Sequence, residues 1–96
     1  DNPIVPGAII IEAMAQTSIF IYYLNKPVIA QTHPDYYLGK IKADFYESVR
    51  PKEKIIIEAS LVKVIESAGI VDTAVICNDK IAAKANIVFG VKQRGT

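Results

Sequence analysis

Pro3-Ile4-Val5-Pro6-Gly7-Ala8-Ile9-Ile10-Ile11-Glu12-Ala13-Met14-Ala15-Gln16 sets one glycine and one carboxylate into an otherwise apolar run, and its reading decides the fold. Beyond Gly7 neither proline nor glycine interrupts the chain before Pro27, and apolar residues occur on nearly every side of a helical wheel from Gly7 to Leu24. That distribution predicts a helix surrounded by protein, on the order of 27 Å long at about 1.5 Å per residue. Asn25-Lys26-Pro27 stops it, because proline cannot continue the hydrogen-bond ladder and restricts the residue before it. A loop through His33-Pro34 follows. Glu12 is then the anomaly: removing a carboxylate from water is costly unless it is paired, hydrogen-bonded or protonated. A buried helix that tolerates it uses it, which makes Glu12 the first catalytic candidate.

Downstream of the helix the period changes from helical to alternating. From Tyr36 onward Tyr37, Ile41, Ala43 and Phe45 fall on one face, with Lys40, Lys42 and Asp44 on the other. Arg50-Pro51-Lys52-Glu53 makes a turn, and Lys54 to Ser67 reads as a long strand whose Ile55, Ile57, Ala59, Leu61 and Ile65 share a face. Ala68-Gly69 turns the chain back. Val71, Val75 and Cys77 alternate with Asp72, Ala74 and Ile76, and Asn78-Asp79 forms a tight hairpin turn. Ile81, Ala83, Ala85, Ile87, Phe89 and Val91 complete the pattern, so the last three strands form an antiparallel meander. One buried helix and four long antiparallel strands pack when the sheet curls around the helix. Gln93 to Thr96 reads as a loose tail.

Ninety-six residues make one small domain, 1–96, that buries only a modest share of its surface alone. Hydrophobic residues at 51% against 22% charged point to apolar surface shared between subunits, hence an oligomer. A net charge near +1, without basic runs, excludes a nucleic-acid footprint. The single Cys77 rules out an internal disulfide framework and fits a reducing cytoplasm, as a small core residue. Ala8 to Leu24 approaches bilayer length, but Glu12, Gln16, Thr17 and Ser18 interrupt it, and a buried protein helix is the better reading. No partner membrane is expected.

Pro3, Pro6, Gly7, Glu12, Ala13, Ala15 and Gln16 fall on the pattern His-Phe-Pro-Gly-x-Pro-x-x-Pro-Gly-x-x-x-x-Glu-Ala-x-Ala-Gln. In this the chain resembles the FabZ-type 3-hydroxyacyl-[acyl-carrier-protein] dehydratases of fatty-acid synthesis, which have the α+β hotdog fold. The likeness runs on through Lys42-Ala43-x-Phe45, the Val49-x-Pro51 start of a Val-x-Pro-Gly-Asp turn, and Asp79-Lys80-Ile81-Ala82-Ala83. Counting back along the pattern, the catalytic His lies three residues before Asp1, so the domain reads as truncated at its amino end. Asp1 takes a usual Gly position, and Asp44 stands where the family commonly has a basic residue.

The resemblance implies a role for each matched residue. Dehydration of a 3-hydroxyacyl thioester needs a base beside the carbonyl, an acid for the departing hydroxyl, and donors for charge developing on the thioester oxygen. Gly7 would hold that oxygen with its N–H at the positive end of the helix, while letting substrate approach closely. Glu12 would be the acid, and Gln16, one turn later, would orient it. Plainer alternatives stand beside these: Gly7 permits the turn, and Glu12 with Gln16 fixes helix register. In this family the His of one subunit works with the Glu of the other, which implies a homodimer, often assembled as a trimer of dimers. The partner would be acyl carrier protein, whose phosphopantetheine carries the substrate; no metal or other cofactor is implied.

Other residues carry less. His33 reads as a surface-loop residue, Tyr36 or Tyr37 as either an acyl-tunnel wall or aromatic packing, and Lys40, Lys42 and Arg50 as carrier contacts or ordinary strand charges. Two competing functions share the fold: an acyl-thioester hydrolase, and an acyl-binding module without catalysis. Product chemistry separates the first from dehydration, and the residues encoded before Asp1 separate the second.

Overall fold

Pro6, at φ −59° and ψ 145°, delivers the chain into helix α1 (Gly7–Asn25). The computed structural model describes residues 5–65 and 67–92, the side chains of residues 29 and 30 excepted. After α1 come α2 (Pro27–Ala30), β1 (Asp35–Phe45), β2 (Ile55–Ile65), β3 (Ala68–Cys77) and β4 (Lys80–Lys92). The four strands form one antiparallel sheet in the order β1-β4-β3-β2. This is the expected α+β hotdog arrangement, with a single long helix laid against one face of the sheet. Pro27 ends α1 but also opens α2, since proline suits a first helical position, where its missing N–H costs nothing. The expected loop is therefore partly helical. The proposed tail from Gln93 lies outside the described residues, as does Pro3.

Ile10, Met14, Ser18 and Tyr22, four residues apart, form the buried stripe of α1. They meet Val71, Val75, Ile87 and Phe89 from the sheet, all of them inaccessible or nearly so. Tyr22 stands edge-on to Phe89 (ring centroids 5.5 Å, 87°) and to Tyr36 (6.0 Å, 81°), the geometry aromatic quadrupoles favour. The Ser18 hydroxyl is satisfied inside this dry interface by donating to the Met14 carbonyl at 2.8 Å. The opposite side of α1 is not covered. Ile9, Phe20, Tyr23 and Leu24 are exposed there, so the expectation of a helix surrounded by protein fails for a single chain. The helix is long and apolar enough, by length and composition, to cross a membrane, yet one stripe of it is committed to the sheet.

Three irregularities correct the strand faces. Leu38 pairs with Phe89 and Lys40 with Val88, leaving Gly39 as an inserted residue, so Tyr36 rather than Tyr37 shares the core face with Ile41 and Ala43. In β2 the insertion is Val62, after which Val64 packs inward and Ile65 does not. In β4 it is Ala82, which turns Ile81 outward opposite Ile76. The reversal between β2 and β3 also comes earlier than expected, and Ala68 and Gly69 are already strand residues. Gly69 is needed there for another reason: a Cβ would stand 2.6 Å from Cζ of the buried Phe89.

The hairpin turn falls where expected, with Asn78 and Asp79 both left-handed (φ 53° and 63°), as a type I′ turn requires. It is tied to the Arg50–Glu53 turn through Glu53, whose carboxylate accepts from the Arg50 backbone N–H at 2.7 Å and from Asn78 Nδ2 at 2.8 Å. The Arg50 bond first, then the Asn78 bond, hold this carboxyl below the usual glutamate range against an opposing contribution from burial. Lys52, after Pro51, takes φ 73° in that turn, where a side chain is strained.

Two outcomes follow for this turn. Lys52→Gly relieves the left-handed strain and raises stability by about 0.5–1 kcal/mol, read from the urea midpoint. A lower midpoint would refute the strain. Because the folded Glu53 carboxyl titrates below its unfolded value, its contribution is complete above the unfolded value and disappears as pH falls through the folded one. Glu53→Gln therefore lowers Tm at neutral pH, and the gap to wild type closes as acid is added; a gap independent of pH would contradict the assignment.

Candidate functional site

The start of α1 has no side-chain cap and no acidic residue in its first turn. Pro6 O accepts from both Ile9 N–H (3.0 Å) and Ile10 N–H (3.3 Å). The N–H groups of Gly7 and Ala8 have no hydrogen-bond partner among the described residues, and they stand at the positive end of the helix dipole. Just upstream, Val5 N–H donates to Val49 O at 2.6 Å and ties the entry of the helix to the segment after β1. The space that a side chain on Gly7 would fill is taken by Phe45: a Cβ there would lie 3.3 Å from Phe45 Cζ. Glycine at this position thus serves strand-to-helix packing directly. Phe45 is a contact the alternating pattern could not disclose, since it joins the end of β1 to the start of a helix thirty-eight positions earlier.

Glu12 stands about 7.5 Å further along the helix axis. Gln16 Nε2 donates to Glu12 Oε2 at 2.8 Å, so the predicted pairing one turn apart is present. The predicted burial is not. Glu12 and Gln16 both lie on the exposed face of α1, among Ile9, Phe20 and Tyr23, because the sheet covers only the opposite stripe. An acid flanked by bare isoleucine and phenylalanine is a face that proteins ordinarily bury against something else.

The remaining candidates separate from this site. His33 is exposed in its loop at φ 53°. Tyr36 packs against Tyr22 and Phe89, and its hydroxyl is buried without a hydrogen-bond partner among the described residues; burial, then nearby Tyr23, pushes its pKa up. Tyr37 instead lays its ring over Gly90 on the neighbouring strand. Cys77 is buried as expected, and burial followed by the Glu53 carboxylate raises its thiol. Lys42 and Asp44 point away from α1, into a polar groove of about 450 Å³ on the outer face of the sheet with Glu58, Asp72, Lys84 and Asn86. The sheet itself therefore separates Lys42 from the Glu12 face.

Residues 1–86 match the FabA-like domain family. The chain is 35% identical over 88 residues to the 3-hydroxyacyl-[acyl-carrier-protein] dehydratase FabZ of Enterococcus faecalis, covering 92% of this chain and 61% of that protein. With the FabZ dehydratase of Clostridium tetani the identity is 36% over 88 residues, again 92% and 61%. The chain thus spans about three fifths of the length of these curated relatives. Among solved structures, a probable thioesterase from Bartonella henselae superposes with a TM-score of 0.77 at 9% identity, over 95% of this chain and 79% of that one. A Thermus thermophilus thioesterase complexed with coenzyme A and Zn gives 0.72 at 18% identity, over 96% and 68%. These two likenesses speak to the fold alone.

Proposed function

Since this chain belongs to the FabA-like domain family, we propose that it supplies the acid-bearing helix of a hydro-lyase that converts (3R)-3-hydroxyacyl-[acyl-carrier-protein] to the trans-2-enoyl thioester. The observation that carries the reading is the Gln16–Glu12 hydrogen bond of 2.8 Å, set in the family's spacing behind the uncapped start of α1 at Gly7. The FabZ dehydratases at 35% and 36% identity support it.

In the proposed reaction a histidine, which the family pattern puts before Asp1, takes a proton from the carbon beside the thioester carbonyl. The electron pair left behind becomes the new carbon–carbon double bond as the C3–oxygen bond breaks. Glu12 gives its proton to the departing hydroxyl, which leaves as water, and Gln16 holds the carboxyl in place by its amide. The Gly7 N–H donates to the thioester oxygen while charge builds there. No metal or redox step enters this chemistry. A second copy laid on the Glu12 face would cover Ile9, Phe20 and Leu24 and give the carboxyl the dry surroundings that one chain does not provide, which supports a homodimer as the working unit. Acyl carrier protein in the cytoplasm is the proposed partner.

The test is hydration of crotonyl-acyl carrier protein by the full-length polypeptide in which these residues occur, followed by loss of enoyl absorbance. Glu12→Gln is expected to lower kcat by about a hundredfold or more, with the protein still folded by circular dichroism. Release of free thiol instead of enoyl loss would replace dehydration by thioester hydrolysis, and acyl binding without either reaction would leave a binding module.

A further inference from the structure

Phe45 is 47% exposed, yet the tip of its ring is seated on Gly7, with Cζ, Cε1 and Cε2 at 3.3, 3.5 and 3.7 Å from the place of a Cβ. Core packing does not account for a ring half in solvent. Its position is held from the far side: Phe45 pairs with Ala83, and the N–H groups of the next two residues, Tyr46 and Glu47, both donate to Ala82 O at 2.8 and 3.1 Å. Ala82 is the inserted residue of β4, so the insertion offers one carbonyl to two donors and turns the chain directly after Phe45. From this side the first turn of α1, which has no capping side chain, is braced by an aromatic ring.

The geometry points to Phe45 as a positioning residue: its ring sets the start of α1, and with it the Gly7 N–H, and screens that donor from water on one side. The inference rests on the dehydratase reading above, in which that N–H receives the thioester oxygen. A donor aimed at developing charge is effective only when it is held in advance and kept from solvent, so loosening the ring weakens the transition state more than substrate binding.

The experiment uses crotonyl-acyl carrier protein hydration by the full-length polypeptide, with Phe45→Leu, Gly7→Ala and the double variant, and Tm measured for each. Leucine keeps the stem but lacks the ring tip. Phe45→Leu is expected to lower kcat about tenfold while KM stays within about twofold. Gly7→Ala drives a methyl against the ring, and the double variant should lose less than the product of the two single losses, because leucine leaves room for it. Unchanged kcat in Phe45→Leu, a loss that appears only in Tm, or losses that simply multiply would overturn the inference while leaving the dehydratase reading intact. A wild-type protein that hydrates nothing would sink both.

Discussion

Seating one stripe of α1 on the sheet is the constraint from which the other features follow. Ile10, Met14, Ser18 and Tyr22 come every four residues, which puts them in a narrow line along one side of the helix. Full burial of a side chain such as Met14 or Phe89 contributes about 1.5–3 kcal/mol each, so this seam is a substantial source of the domain's cohesion. It also dictates what faces outward. With the stripe committed to the sheet, Glu12 and Gln16 can only stand on the other side of the helix, together with Ile9, Phe20 and Tyr23. The same packing that stabilises the domain therefore leaves Glu12 on the outer side of α1 rather than in its own core.

Much of this architecture was legible because the decisive signals are local. Pro6 and Pro27 bracket α1, and Asn78-Asp79 has the side chains that tolerate two successive left-handed residues. The strand faces were legible only as far as the first inserted residue. Gly39, Val62 and Ala82 each add one residue to a strand, and a single addition sends every later side chain to the other face. That is why strict alternation put Tyr37, Ile65 and Ile81 inside. Gly39 left a trace, since glycine within a strand marks such a break, whereas Val62 and Ala82 look like any other strand residue.

The site was readable in its spacing and not in its surroundings. Glu12 and Gln16 are one turn apart, so their hydrogen bond follows from helical geometry. Their exposure does not, because nearly continuous apolar composition around a helix says that all sides are to be covered without saying which molecule covers them. The contact of Phe45 with Gly7 was beyond reach for a different reason: it depends on where β1 ends in space, which the Ala82 insertion determines from the opposite end of the chain. Lys42 shows the converse. Its charge was visible, but only the sheet's sidedness tells that it faces the polar groove and not α1.

The strand order β1-β4-β3-β2 has a consequence for how the molecule assembles. β2, β3 and β4 are joined by short reversals, so their pairing closes small loops and costs little chain entropy. β1 reaches its partner β4 only across the whole of that meander, and α1 is farther still in sequence. On loop-closure entropy the meander is expected to form before β1 docks onto it, and amide hydrogen exchange would test whether it is also the last part to open. Because Phe45 is the last residue of β1, the brace on the start of α1 belongs to the part expected to dock late and open early. Local opening there would disarm the helix start long before the domain as a whole unfolds.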